Sequence, residues 1–353
     1  MHYSPILSPT SRAGRILLGS VRSAVYGLQC IKWLYRRFVK PRITPMLPAY
    51  ISHDDCSKHE MGSLHPECPE RIAVIKDQLL IKGLLDYMQP YDAPLATEAQ
   101  LGRAHAVLHV HELEAKVPAV DYEQVDPDTW MNPHTYRAAL RSAGAAVLAT
   151  DLVVRGDAPV AFCNVRPPGH HAEYAAAGGF CFFNNVAVGI RHALDVHGLE
   201  RVALIDFDVH HGNGSEDILH DDPRVLMCST FEENLYPFCG SEPRGSNMVN
   251  VGLPPRSGGE AFRAAVESHW IPALDAFKPQ LIFISAGFDA HREDDMGNLG
   301  LVEADYEWVT KKVMEVANRH AQGRVVSCLE GGYVLSPLAR SAAAHVKVLI
   351  GAD

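Results

Sequence analysis

The sequence predicts an α/β protein built on a central parallel sheet, and three observations carry that prediction. Five short apolar runs (160–165, 202–205, 225–228, 281–285 and 325–329) have the length and β-branched content of strands buried on both faces. Each run stops abruptly at a polar or glycine-rich tip: RPPGHH at 166–171, DFDVHHGNG at 206–214, Ser229-Thr230, AGFDAH at 286–291 and EGGY at 330–333. Helical patterns lie between them, notably 185–197, 260–277 and 303–320. Strand and helix in alternation imply right-handed crossovers, with helices on both faces of the sheet. In such sheets ligands gather beyond the carboxyl ends of the strands. All five tips sit at those ends, so they can converge on one pocket.

Residues 1–45 precede this pattern and differ from it. They hold eight basic residues (Arg12, Arg15, Arg22, Lys32, Arg36, Arg37, Lys40, Arg42) and no acidic ones. That leaves 24 of the 32 Lys/Arg against all 42 Asp/Glu, a formal charge of −18 on the remainder. Three readings of the extension stay open: a transit-type targeting segment, a basic surface-binding helix, or an upstream extension of the reading frame ahead of Met46. None of them carries chemistry, so 46–353 is expected to be a single catalytic domain. No apolar run in the extension approaches the roughly 20 residues of a membrane span.

Composition is that of an ordinary globular protein, with 47% hydrophobic and 21% charged residues. The eight cysteines form no CxxC pair, and several sit in apolar runs. This argues for a reducing, cytoplasmic setting, and against a disulfide framework or a cysteine-ligated metal. With 19 histidines a lone histidine means little, so His105, His109, His111, His192 and His197 are read as surface or core residues.

In chain order, 49–75 reads as a polar loop running into a helix from about Pro69. Residues 76–116 read as helices around short loops. DPDT at 126–129 reads as a turn before an Ala-rich helix over 136–154.

The chemistry centres on VALIDFDVHHGNG at 202–214. A buried strand that ends in two carboxylates and two imidazoles needs a reason, because unpaired buried charge is costly. Residues two apart in an extended chain point the same way, so Asp206, Asp208 and His210 share a face. Asp208 and His210 then offer an oxygen and a nitrogen to one divalent metal, and Asp289 supplies a third ligand from another strand tip. Such a set leaves coordination positions open, the mark of a catalytic site. His170 and His171 suggest proton transfer. Asp206 is placed to orient one of them and Asn213 the other. Tyr333, after two glycines, can place a phenol where charge develops on a carbonyl oxygen. The sum is metal-assisted hydrolysis.

RPPGHHA, GGFCFFNN (178–185), DFDVHHGNG, SAGFDAH and LEGGY, in this order, resemble the class II histone deacetylases and the bacterial deacetylase-like amidohydrolases; HPECPER (65–71) also matches. The resemblance covers about 48–352. It implies an arginase/deacetylase-like three-layer α/β/α sandwich and hydrolysis of N-acetyl amides. It implies Asp208, His210 and Asp289 as ligands of zinc, with ferrous iron as the alternative. His171 matches the general base and acid, His170 with Asp206 its electrostatic partner, and Tyr333 the carbonyl-polarising tyrosine. Gly179 and Phe180 match one wall of an acyl-lysine tunnel. Tyr236 stands on the other wall, where the family usually has Phe. Asp206, Ser229 and the backbone carbonyls of Asp208, His210 and Thr230 match a site for a monovalent cation, potassium. Asp126 corresponds loosely to a rim residue that holds substrate backbone.

The expected partner is an acetylated lysine in a peptide or protein, or an acetylated small amine such as a polyamine. Nucleic acid is not expected, and a homo-oligomer stays open. Glu293, Asp294 and Asp295 are the candidate acids at the entrance, while Asn298 is neutral. The related dimanganese hydrolases share the fold, but Gly212 stands where a second-metal carboxylate would be needed; His291 is what keeps that rival in view.

Overall fold

A computed structural model describes residues 46–352. Its ten strands are β1 (Ala49–Ser52), β2 (Gln89–Asp92), β3 (Glu123–Asp126), β4 (Thr129–Met131), β5 (Val160–Cys163), β6 (Val202–Asp206), β7 (Val225–Glu232), β8 (Met248–Leu253), β9 (Leu281–Ala286) and β10 (Val325–Leu329). Eight of them form one sheet in the order β2-β1-β5-β10-β9-β6-β7-β8, with every pairing parallel. β3 and β4 make a separate antiparallel hairpin. The five predicted strands are the contiguous centre of the sheet, β5-β10-β9-β6-β7, and every residue in them is buried. Their carboxyl ends therefore lie side by side along one edge.

Helices cover the sheet as the alternation requires. The Ala-rich helix Thr135–Arg155 buries thirteen residues and ends at Gly156, whose φ of 78° is the left-handed cap that glycine adopts without strain. Helix Asn185–Asp195 starts on Asn184, whose side chain accepts the Ala187 N–H. Helices Glu303–His320 and Leu335–Leu349 pack on each other. The 260–277 pattern is interrupted: Gly259–Ala265 passes through a π-turn at Val266–Trp270 into Ile271–Phe277. Pro272 explains this, since it has no N–H for the regular i→i−4 bond and its ring crowds the preceding turn.

Five strands depart from the sequence reading. The segment read as a loop at 49–75 begins with β1, the segment read as helical at 76–116 contains β2, and β8 follows β7. The predicted turn at 126–129 joins β3 to β4. β1 and β2 have four residues each, and β2 and β8 lie at the sheet margins where one side is open, so their apolar patterning is weak.

Candidate active site

Asp206, at the end of β6, is the last strand residue; the chain then turns with Phe207 and Val209 directed into the core and Asp208 and His210 toward the edge. His210 Nδ1 lies 3.0 Å from Asp208 Oδ1 and 3.1 Å from Asp289 Oδ2. All three residues are buried, and their ligand atoms lie within 4.8 Å of one another. Burial, then the charge of Asp208, push the Asp289 carboxyl up to about 7. Two buried carboxylates at this separation repel one another, and a divalent cation between them removes the conflict. The surroundings fit an ion too. A Cβ on Gly331 would come within 2.1 Å of Asp289 Oδ2 and 2.5 Å of Asp208 Oδ2, so only glycine leaves the cradle open. The Gly331 N–H donates to Asp208 Oδ2 at 2.8 Å.

His170 and His171 follow β5 with ring centroids 4.0 Å apart. His170 Nδ1 is 3.1 Å from Asp206 Oδ2, and its Nε2 is 3.7 Å from Asp208 Oδ2. Burial draws the pKa of His170 down, but Asp208 and Asp206 outweigh it and push it up to about 10. His171 goes the other way, held well below 6.5 by burial and then by His170 and His210. Its Nδ1 bonds Asn213 Oδ1 at 2.8 Å, and Asn213 Nδ2 donates in turn to Glu173 Oε1. With the amide oxygen facing it, Nδ1 carries the proton and Nε2 keeps a free lone pair.

Tyr333 stands after β10, its ring edge-on to Phe180 at 5.7 Å. Phe180 has φ of 68°, a left-handed conformation that costs a bulky residue of order 1–3 kcal/mol. Its N–H donates to Thr129 Oγ1, and its ring abuts His65. A Cβ on Gly179 (φ 55°) would strike the His171 ring at 2.5 Å. Opposite, Tyr236 lies edge-on to His171 at 5.0 Å. Phe180, Gly179, Tyr236, His171, His210 and Tyr333, with Asp128 and Met296, line a cavity of about 120 Å³. Larger hollows elsewhere, such as the one of about 410 Å³ beside Tyr50, Lys76 and Tyr91, carry no such cluster.

Residues 65–349 match the histone deacetylase domain family. This chain belongs to that family. A histone deacetylase-like amidohydrolase of Pseudomonas aeruginosa is 38% identical over 276 residues, covering 76% of this chain and 72% of the relative. A probable deacetylase of Archaeoglobus fulgidus is 34% identical over 299 residues, covering 82% of each. Similarity extends to a polyamine deacetylase of Mus musculus, 34% identical across 86% of this chain, which spans 48% of that relative. The crystal structure of the HDA15 HD domain superposes with a TM-score of 0.81 at 31% identity, covering 87% of this chain and 89% of that one. The protein is thus a metal-dependent deacetylase of acetyl amides with the arginase/deacetylase-like fold, and no helix among the described residues is long and apolar enough to cross a membrane.

Further features of the candidate site lie around this cavity. Ser229 pairs with Asp206 in the β6–β7 register, and its buried hydroxyl has no hydrogen-bond partner. An orphaned buried hydroxyl beside a carboxylate is what a bound cation would satisfy. Thr230, next along β7, is also buried. The HPECPER segment forms a bracket behind Tyr333. Glu67 takes hydrogen bonds from Arg71 Nη1 at 2.9 Å and Arg166 Nε at 2.7 Å, both arginines fully buried. Arg71 donates to the carbonyls of Gly332 (2.6 Å) and Glu330, and its guanidinium carbon is 4.9 Å from the centre of the Tyr333 ring. Glu330 receives the Gly169 and His170 N–H groups on Oε2, at 2.6 and 3.1 Å, and the Ser285 hydroxyl on Oε1. Arg71 and Glu330 lie inside quoted motifs, but nothing in the spacing shows that their partners are backbone groups of distant strand tips.

Asp128 lines the cavity, and Asp126 lies close by, its Oδ2 3.3 Å from where a Cβ on Gly178 would stand. Other expectations need correction. Among the supposed entrance acids Asp294 is buried, Glu293 pairs with Arg340 and Asp295 is exposed, while the neutral Asn298 is held against buried Glu232. His291 turns away toward Glu303 at 3.6 Å. Asp151, His192 and His197 also bring three ligand-type atoms together, yet this cluster closes on itself. Arg103 donates to His192 Nδ1 at 3.4 Å, leaving Nε2–H of His192 to donate to Asp151 Oδ1, which His197 and Arg155 also reach.

Proposed function

We propose that the site holds one divalent metal, zinc or ferrous iron, and removes acetyl groups from lysine side chains of peptides or proteins. The observation that carries this reading is the meeting of Asp208, His210 and Asp289 beside a narrow aromatic-walled cavity that also contains His171 and Tyr333. Bound by these ligands, the metal supplies Lewis acidity to the amide carbonyl and to the attacking water. His171, neutral and with Nε2 free, takes a proton from that water and returns it to the departing amine. The Tyr333 hydroxyl donates to the carbonyl oxygen as negative charge develops there. Asp206 holds His170 as a cation beside the ligand Asp208, and Asn213 fixes the tautomer of His171. Gly212 supports one metal rather than two: a Cβ there would lie 2.4 Å from Asp206 Oδ2, so this position is filled by the Asp206–His170 pair.

Phe180 and Tyr236 take the lysine stem, which gains roughly 0.8 kcal/mol per buried methylene. Met296 at the mouth favours a lysine over a polyamine, since it has no charge with which to read a distant ammonium. Asp128 takes the role of rim acceptor for substrate N–H groups. Asp206, the Ser229 hydroxyl and the carbonyls of Asp208, His210 and Thr230 hold a potassium ion. The seven described cysteines are all unpaired, in keeping with a reducing, cytoplasmic location.

The test is a side-by-side assay of an acetyl-lysine peptide, acetylspermidine and acetylputrescine at one ionic strength, with and without chelator, alongside metal analysis. We expect about one equivalent of metal, activity lost on chelation, and higher kcat/KM on the peptide. A preference of about tenfold for the polyamines, some 1.4 kcal/mol, would transfer the assignment to an acetylpolyamine amidohydrolase. Two equivalents at full activity would revive the dimetal reading.

A further inference from the structure

We propose that Asp294 is a positioning residue that locks Tyr333 in its reacting orientation, an inference that rests on the role given to Tyr333 above. The sequence places Asp294 among three consecutive acids, where it looks like a surface charge, but it is only 6% exposed. Its Oδ2 accepts the backbone N–H of Tyr333 at 2.7 Å and that of Val334 at 3.0 Å. Its Oδ1 accepts the N–H of Met296 at 3.1 Å. One carboxylate thus joins the loop that carries Asp289 and the mouth residue Met296 to the loop that carries the phenol.

The tyrosine needs such a clamp because Gly331 and Gly332 precede it. Gly331 is required for the open cradle beside Asp208 and Asp289, and Gly332 has φ of 114°. Two successive glycines leave the backbone free to swing, and the hydroxyl lies at the far end of a long side chain, where a small rotation becomes a large displacement. Arg71 holds the Gly332 carbonyl from one side. Asp294 holds the next two N–H groups from the other, so the two peptide planes that flank the Tyr333 Cα are fixed. Only an ionised carboxylate serves both directions, since it accepts on two oxygens and donates nothing. An asparagine would turn its NH₂ toward either the Tyr333 and Val334 N–H groups or the Met296 N–H. Either way a donor faces a donor.

A competing role is purely structural: Val334 is the first residue before helix Leu335–Leu349, and Asp294 could simply steady the start of that helix. A double-mutant cycle on the metal-loaded full chain separates the two, using Asp294→Asn, Tyr333→Phe and the pair, with kcat, KM, metal content and melting temperature measured for each. If Asp294 acts through the phenol, Asp294→Asn lowers kcat about 10- to 100-fold with KM and metal content little changed, the cost of a misplaced reacting group. In the Tyr333→Phe background the same substitution then costs less than about threefold, because the group it positions is gone. An equal loss of kcat in both backgrounds, or no loss in the native one, overturns the inference. A harmless Tyr333→Phe would instead overturn the role of the tyrosine itself, so the two failures are distinguishable. Should Asp294→Asn fail to fold, Asp294→Ser keeps an acceptor in less volume and gives the same comparison.

Discussion

His170 and His171 are neighbours in the chain, yet their surroundings drive their proton affinities in opposite directions. Asp206 and Asp208 stabilise the cation on His170 in spite of its burial, whereas burial and two nearby imidazoles keep His171 neutral. A pair split in this way divides its roles, His171 carrying the proton and His170 standing as a fixed cation. The sign of the pH dependence follows. His171 works as a base only when neutral, so activity is full above its pKa and is lost as pH falls through it. Since that pKa lies below 6.5, kcat/KM on the peptide substrate should hold level from pH 7.5 down to about 6.5 and fall only at more acid pH. A profile already halved at pH 7.5 by one protonation would exclude His171 as the base. These residues were legible because loaded strand tips are rare in sequence and their spacing is short. Asp294 and Glu293 were misplaced because the direction of a side chain on an irregular loop is set by the loop's partners, not by spacing.

At the level of elements, the glycines after β10 do as much as the charged groups. Gly331 lies where any side chain would strike both the Asp208 and the Asp289 carboxylates. Gly331→Ala should therefore abolish metal retention and activity together, while far-UV circular dichroism stays native, because the strand and the following helix do not depend on that position. Metal bound at normal stoichiometry in this variant would show that the cradle can widen. The π-turn at Val266–Trp270 lies away from the site and runs directly into the helix turn that holds Pro272. The strands β1, β2 and β8, at or next to the margins of the sheet, escaped the sequence reading for a shared reason. They are short or half-open, and their pairing is decided by neighbours far away in the chain.

Across the whole molecule, burial sets both stability and its dependence on pH. His345 is fully buried, bonded to Thr310 Oγ1 and Ser327 Oγ, and surrounded by Phe162, Phe207 and Phe288. Burial lowers its pKa to about 3. The unfolded chain, with an ordinary histidine near 6.5, then binds a proton that the folded chain refuses. The stability this residue supports is complete above pH 6.5 and is lost as pH falls toward the folded value. His345→Asn should therefore be most destabilising near neutral pH, and the difference from the native chain should shrink by about 1.4 kcal/mol per pH unit below 6.5. Urea titrations at pH 7.5, 6 and 5 measure it, and a constant difference would mean that the imidazole is protonated in the fold. At the same scale we propose that 46–353 is a self-sufficient catalytic domain. A chain starting at Met46 should match the full chain in melting temperature and in kcat/KM; loss of either would show that the basic extension is part of the working protein. The three readings of the extension, as targeting segment, basic surface helix or reading-frame extension, fall on residues 1–45, which lie outside the described residues.

The sequence by itself determined the class of fold, the five central strands and the chemical inventory at their tips. Those depend on local composition, on apolar runs of strand length and on charge that no core would otherwise hold. Only the tertiary structure decided that the tips are adjacent. Chain order runs β5, β6, β7, β9, β10, whereas the sheet runs β5-β10-β9-β6-β7. That reordering sets Tyr333 and Asp289 between His171 and Asp208, and lets Arg71, Glu330 and Asp294 reach backbone groups on other strands' tips. No periodicity encodes it, because the order of parallel strands is settled by which crossover helices pack on which face.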